Sequence, residues 1–537
     1  MTKLMLLGDE AIAQAAIDAG VSGVYAYPGT PSTEITEFVK NSKEAREGTI
    51  HASWAANEKT AMEAALGMSY AGKRAMVCMK HVGMNVAADA FVNSAITGAN
   101  GGLIVVAADD PSMHSSQNEQ DSRFYGKFAM IPILEPSNQQ EAYDMVLYGF
   151  ELSEKLATPV MLRITTRLAH SRSGVLRMPG RDQNSVKLPS NLKQFILLPA
   201  IARKQYKTLV SKQADFTAMS ETGGFNKFTE GPDHSMGIIT TGIAVNYLME
   251  NFPDRKVPFP VLKIGQYPLP KSLVEKIYSE CDSLLLLEEG NPVVEEMLRG
   301  YLNHGKPIHG RLDGTISFDG ELNPNIVAVA LGQADTRGRN IPATVVGRPP
   351  SLCKGCPHIY SYNALNQALE TWSKGRVFSD IGCYTLGALE PFNAINSCVD
   401  MGASITMAKG ASDAGLNPAV AVIGDSTFIH SGITGLIDCV NDNSSVTVII
   451  LDNATTAMTG GQDSAATGKI ENICQGVGVD PEHIITLNPS PKYHEENMAA
   501  IRKELDYKGV SVVIPRRECI QTATRNLKVA RKEAKPQ

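Results

Sequence analysis

The chain has 537 residues, 43% of them hydrophobic and 20% charged, and a formal charge of −6. That length suits roughly three domains of about 150 residues each. The composition is that of a globular protein and lacks the basic excess that marks nucleic-acid binders.

No apolar run reaches membrane-spanning length. The first ten residues turn acidic at Asp9 and Glu10, so they read as a first core strand and not as a signal peptide. Residues 1–180 form one expected α/β domain. Apolar runs at 24–27, 75–79, 103–108 and 160–164 alternate with helical periodicity at 59–70 and 85–96, which predicts a mainly parallel sheet. Residues 181–235 are polar and read as a connecting segment, with 219–224 as an exposed loop. A second α/β unit covers 236–335, with strands at 237–241, 261–264 and 283–287 and a helix after Pro270. Residues 336–350 form a linker ending in Arg348-Pro349-Pro350. A third α/β domain runs over 351–515, and 516–537 is a basic helical tail with Lys528, Arg531, Lys532 and Lys535. Nine scattered cysteines, an odd number with one close pair, predict reduced thiols in a cytoplasmic protein.

The chemistry concentrates in the third domain. An apolar run at 419–423 meets Gly424-Asp425-Ser426, and a second at 446–451 meets Asp452-Asn453-Ala454-Thr455. Both polar clusters fall at the carboxyl ends of predicted strands, where open α/β sheets bind ligands. Twenty-five residues separate Ser426 from Asp452, which one helix and one strand fill. Asp425 supplies a carboxylate, Asn453 an amide oxygen and Thr455 a backbone carbonyl, the oxygen donors that Mg²⁺ requires. The turn at Gly424 and the helix start beyond it offer N–H groups to a diphosphate. An ordinary βαβ crossover explains Gly-Asp alone, but not the second cluster at the right distance.

Cys353-Lys354-Gly355-Cys356-Pro357-His358 allows three readings: half of a zinc site lacking a second pair, a redox dithiol without a thioredoxin-like surround, or a turn aiming His358 at a ligand. Asp380-Ile381-Gly382-Cys383 follows, then a small-residue helix at 401–410. In the first domain Glu58 starts a helix, where an acid can serve merely as a solvated cap. Tyr27-Pro28-Gly29-Thr30-Pro31-Ser32-Thr33 opens another, with Ser32 or Thr33 as a plain N-cap or as part of a nest for a carboxylate. Lys80 and His81 follow a strand and are either solvated cations or site residues.

Gly424-Asp425-Ser426 followed by Asp452-Asn453 resembles the Gly-Asp-Gly and Asn-Asn signature of thiamine-diphosphate enzymes, with Ser and Asp as departures. Together with residues 27–32, 57–59, 79–85, 163–167, 353–358, 380–387 and 452–462, it resembles the α subunits of indolepyruvate:ferredoxin oxidoreductases, within the thiamine-dependent 2-oxoacid:ferredoxin oxidoreductase superfamily. The resemblance implies pyrimidine-binding, transketolase-C-terminal-like and diphosphate-binding domains. It implies that Glu58 activates the cofactor as its ylid and that Asp425, Asn453 and Thr455 hold Mg²⁺. Thr30 would touch the substrate carboxylate. Cys356, His358, Gly382, Cys383, Gly424 and Ser426 would line the cofactor. The implied reaction is oxidative decarboxylation of an arylpyruvate to an acyl-coenzyme A, in a homodimer or heterotetramer with a smaller subunit and ferredoxin. The family's usual C-terminal ferredoxin-like domain, with its cysteine clusters, is not expected here, because Cys519 stands alone in the tail. Iron–sulfur clusters or a flavin are therefore expected on a partner. A non-oxidative decarboxylase, carboligase or acyl transferase is the alternative. The intact Glu58, Asp425 and Asn453 argue against a catalytically silent assembly subunit.

Overall fold

Strand runs rich in Val, Ile and Leu that are apolar at every position suit parallel sheets covered by helices on both faces. The computed structural model of the chain describes residues 3–191, 194–252, 254–300, 305–317, 320–333, 342–347, 350–398, 401–413 and 416–533. It arranges these runs as mostly parallel sheets in two units, Met1–Asn340 and Ile341–Gln537. Of the expected linker, 336–341 and 348–349 lie outside the described residues, as do Met1, Thr2 and the last four positions with Lys535.

The first unit holds two larger sheets. In the seven-stranded one, Val160–Thr165, Leu103–Asp109, Ala75–Lys80, Gly23–Ala26 and His51–Trp54 are neighbours in that order, all parallel. Ile133–Leu134 extends it beside Val160–Thr165, and Gln266–Tyr267 joins antiparallel at the edge. The five-stranded sheet has Gly237–Thr241 at its centre, between Leu284–Leu287 and Val261–Ile264. Every residue of Ala75–Lys80, Leu103–Asp109 and Val160–Thr165 is buried. Burying each large aliphatic side chain contributes about 1.5–3 kcal/mol.

Three sequence expectations change. Lys3–Leu7 is not a core strand: it pairs antiparallel with Arg172–Leu176 in a separate two-stranded ribbon, and Met5 faces out. Residues 219–222 are not loop but the end of the helix Gln213–Thr222, which buries Phe216 and Ser220. The segment 181–235 also contains the helix Pro199–Ser211 and the strand Lys227–Thr229, which pairs with Val261–Ile264. These two helices bury few residues, too narrow a stripe to show as periodicity.

The second unit is built on five parallel strands in the order Val377–Ser379, Ala419–Gly424, Val446–Leu451, Val510–Pro515, Ile484–Leu487. The middle three are buried throughout. The helix Pro357–Ala368 packs on His494–Asp506, and Ala403–Asp413 packs on Ala419–Gly424. Among the described residues no helix is long and apolar enough to cross a membrane.

Candidate functional site

The second unit delivers its polar residues from neighbouring strand ends. Gly424 is level with Leu451 in the parallel ladder, so Asp425 and Asp452 emerge side by side. Asp425 opens a helical run that continues through a π-turn at Phe428–Gly432 into Ile433–Asn441. Its carboxylate is buried and its Oδ2 has no hydrogen-bond partner. Burial, then the charge of Asp452, pushes the Asp425 carboxyl up to about 7. An orphaned buried oxygen is costly unless a ligand completes it.

Asp452 itself is engaged, with Oδ2 accepting from Arg516 Nε at 2.6 Å, while Arg516 also grips Glu471. This accounts for the acid in place of the family's first Asn: it anchors the next strand end. Ser426 has a similar account, since its Oγ accepts from Thr456 Oγ1 at 3.0 Å and ties the two loops together. Asn453 Oδ1 accepts from the Thr455 backbone N–H at 3.1 Å and keeps a second lone pair. The Thr455 hydroxyl donates to the Gln462 carbonyl, leaving the Thr455 carbonyl as the group the metal reading uses.

His358 begins the helix Pro357–Ala368 and is buried. Its Nε2 lies 3.3 Å from Asn453 Nδ2 and 3.2 Å from Cys383 Sγ, both able to donate to it. Burial lowers the imidazole to about 4, so it is neutral near pH 7. Burial also raises the Cys356 thiol to about 11 and the Cys383 thiol further still. These are protonated thiols, not activated nucleophiles. Gly382 and Gly424 have a packing reason of their own: a Cβ on either would stand 2.2 and 2.5 Å from Tyr384 Cε1. The Tyr384 hydroxyl in turn bonds Asp380.

A cavity of about 560 Å³ opens here, lined by His358, Cys383 and Asn453 among others. Asp425 and Thr455 are not on its wall. Cys519, expected to stand alone, is: the segment after Val510–Pro515 is held to the Asp452–Asn453 loop by Arg517 N–H to Asp452 O and Cys519 N–H to Asn453 O, at 3.0 and 3.1 Å. Cys353, Cys356, Cys383 and Cys519 therefore surround one cavity. Their sulfurs do not converge tightly enough to hold a single ion, for the described residues show no close donor group of three here. The zinc reading of the Cys-x-x-Cys pair gains no ligands.

In the first unit, residues 29–30, 58 and 80–83 lie at or just beyond the ends of the adjacent strands Gly23–Ala26, His51–Trp54 and Ala75–Lys80. Glu58 is not a solvated cap. Asn57 caps that helix by accepting from Thr60 N–H at 2.9 Å, while Glu58 is buried. Its Oε1 lies 2.7 Å from where a Cβ on Gly83 would stand, so a glycine there makes room for the carboxylate. In the Tyr27–Thr33 turn, Gly29 N–H donates to Thr33 Oγ1 and Ser32 Oγ to Gly29 O, so both hydroxyls brace the turn itself. Thr30 is half-buried, and its carbonyl accepts from Ser115 Oγ at 3.4 Å. Lys80 and His81 are buried, not solvated. Lys80 Nζ donates to Ser115 O at 2.7 Å, and burial lowers its ammonium to about 8 against the pull of Asp110. Ser115 and Asp110 escaped the sequence reading, since no local pattern marks them.

Comparison with known proteins finds family matches in both units. Residues 14–217 match the family described as pyruvate flavodoxin/ferredoxin oxidoreductase, thiamine diphosphate-binding, and residues 380–533 the C-terminal thiamine pyrophosphate-binding domain of thiamine pyrophosphate enzymes. An Archaeoglobus fulgidus protein named indolepyruvate oxidoreductase subunit IorA is 39% identical over 96% of this chain and 86% of its own length. A Pyrococcus horikoshii protein of the same name is 37% identical with the same coverage. A solved 2-oxoglutarate:ferredoxin oxidoreductase from Magnetococcus marinus superposes with a TM-score of 0.49 at 16% identity, covering 62% of this chain and 65% of that one. At that distance it adds nothing to the two relatives.

Proposed function

The chain belongs to the family of indolepyruvate oxidoreductase IorA subunits, and from that premise we propose that it performs the thiamine-diphosphate half of the oxidative decarboxylation of an arylpyruvate. The observation that carries the reading is the strand-end pair in the second unit: a buried Asp425 carboxylate with an orphaned oxygen, on the strand next to the one that delivers the Asn453 amide oxygen. That donor set fits Mg²⁺, which takes one or two carboxylates and completes its octahedron with phosphate oxygens and water. Asp425, Asn453 and the Thr455 carbonyl would hold the ion. Gly424 and Ser426 would face the diphosphate, and Cys356, His358, Gly382 and Cys383 would line the cofactor. When bound, thiamine diphosphate supplies the carbon nucleophile and the electron sink for decarboxylation.

The chain's own residues have separable tasks. His358 is held neutral, with Asn453 and Cys383 directed at Nε2, so it orients the cavity wall without adding charge beside the cofactor. Buried Glu58 would meet the aminopyrimidine, and Thr30 would hold the substrate carboxylate. Coenzyme A as acyl acceptor, and a smaller partner subunit with ferredoxin, complete the proposed reaction.

The main reading is tested with the chain and its co-purifying partner, given an arylpyruvate, coenzyme A, Mg²⁺, thiamine diphosphate and a viologen dye. Acyl-coenzyme A formation with dye reduction is expected. Aldehyde release without dye reduction would favour the non-oxidative alternative, and Glu58→Ala at full turnover would remove the role given to Glu58.

A further inference from the structure

A fully buried carboxylate that no N–H or hydroxyl donor reaches is uncommon in folded proteins, and the first unit contains one. Asp9 stands in the first turn of the helix Gly8–Asp18; it is wholly buried, and Oδ1 and Oδ2 meet no donor, their only polar neighbour among these groups being the Glu34 carboxyl. Two other helices bring a donor to it. Glu34 is the second residue of Thr33–Lys40, and His170 is the last of Thr166–His170. One donor atom of each of the three lies within 4.8 Å of the other two. Glu34 Oε2 is also buried without a partner, while Oε1 stands 3.6 Å from His170 Nε2.

We propose that Asp9, Glu34 and His170 form a binding site for a divalent first-row transition ion, with zinc as the cation it fits best. Two carboxylates this close cannot both stay ionised unless a positive charge joins them. Without a metal, the hydrogen bond between Glu34 and His170 raises the imidazole and lowers the Glu34 carboxyl, while burial and the Glu34 charge push the Asp9 carboxyl well up. The imidazole nitrogen argues against Mg²⁺ and Ca²⁺, which prefer all-oxygen shells. Zinc accepts two carboxylates and one imidazole and leaves a fourth position to water. An entry path exists, since the Glu34 and His170 side chains are 38% and 36% exposed while Asp9 closes the inner side. A bound ion would pin the starts of two helices, and Thr33–Lys40 follows directly on the turn that carries Thr30.

The full-length chain, stripped of metal, is titrated with Zn²⁺ alone, and bound zinc per chain is counted by equilibrium dialysis. Wild type is expected to hold one zinc more than Asp9→Asn. His170→Gln should weaken that extra site about a hundredfold or more, because losing even an outer partner of a ligand costs about 10–100-fold. The cysteines are unchanged in all three proteins, so their zinc cancels in the difference. Asp9 is buried and its substitution can disturb folding; His170→Gln alters an exposed side chain and keeps the test decisive. Equal zinc stoichiometry and affinity in wild type and His170→Gln would overturn the proposal and leave Asp9 and Glu34 as a proton-sharing pair.

Discussion

Arg123 and Arg163 in the first unit and Asp425 in the second are all buried charges, but their surroundings differ. Arg163 donates to Asp109 and Glu135 at 2.7 Å and to the Glu289 carbonyl at 2.8 Å. Arg123 donates to Asp121 at 2.6 Å, Glu288 at 2.9 Å and the Asn291 carbonyl at 2.8 Å. Tyr267 and the backbone N–H groups of Val294 and Glu295 fill remaining positions on the acids. This network sits where the two large sheets of the first unit meet. Asp425 by contrast keeps an unmatched oxygen, and the charge that acts on it is the like-signed Asp452. A satisfied buried network holds a fold together; one left incomplete costs stability and is retained where a ligand completes it. The first cluster is structural, and the second is the site proposed for the cofactor.

Removing a member should therefore have opposite consequences in the two places. Arg163→Leu strands Asp109 and Glu135 in the interior and should cost about 3–5 kcal/mol, read by urea unfolding. A loss within that of an exposed substitution would erase the distinction. The next effect is on pH. Burial raises the Glu288 carboxyl from 4.5 to about 7 despite Arg123 and two backbone N–H donors. The folded state then keeps this proton after the unfolded chain has released it, so the contribution of Glu288 to stability is full below about pH 4.5 and is lost as pH rises through about 7. The fall should be on the order of a few kcal/mol. Glu288→Gln should flatten that slope in unfolding measured across the range. A smaller effect tests the packing beneath the site: Gly424→Ala drives a methyl into Tyr384 and should cost about 1–3 kcal/mol, with the Tyr384→Leu background relieving it.

Much of the second unit was legible because its signals are local. The strand 419–424, the Gly-Asp turn, the helix and the strand 446–451 are contiguous, and their spacing alone puts Asp425 and Asn453 on adjacent strand ends. What escaped depends on segments far apart in sequence. Arg516 reaches Asp452, and Cys519 reaches the Asn453 carbonyl, only because Val510–Pro515 pairs next to Val446–Leu451. Cys519 thus read as solitary. Lys3–Leu7 has the composition of a core strand, yet Arg172–Leu176 claims it for a ribbon. For Glu58, composition could not separate a cap from a buried acid; Asn57 taking the cap and Gly83 clearing space decide it.

The smallest stability effect carries the most weight. Asp425→Asn removes an unmatched buried charge, so the cofactor-free protein should be as stable as wild type or more stable by about 1 kcal/mol. Calorimetric titration of thiamine diphosphate into both proteins, with and without Mg²⁺, is the direct test. Mg²⁺-dependent binding to wild type, and its loss in an intact, undiminished Asp425→Asn, is the expected result. Equal Mg²⁺-dependent binding by the variant, or an Asp425→Asn destabilised as severely as Arg163→Leu, would contradict it.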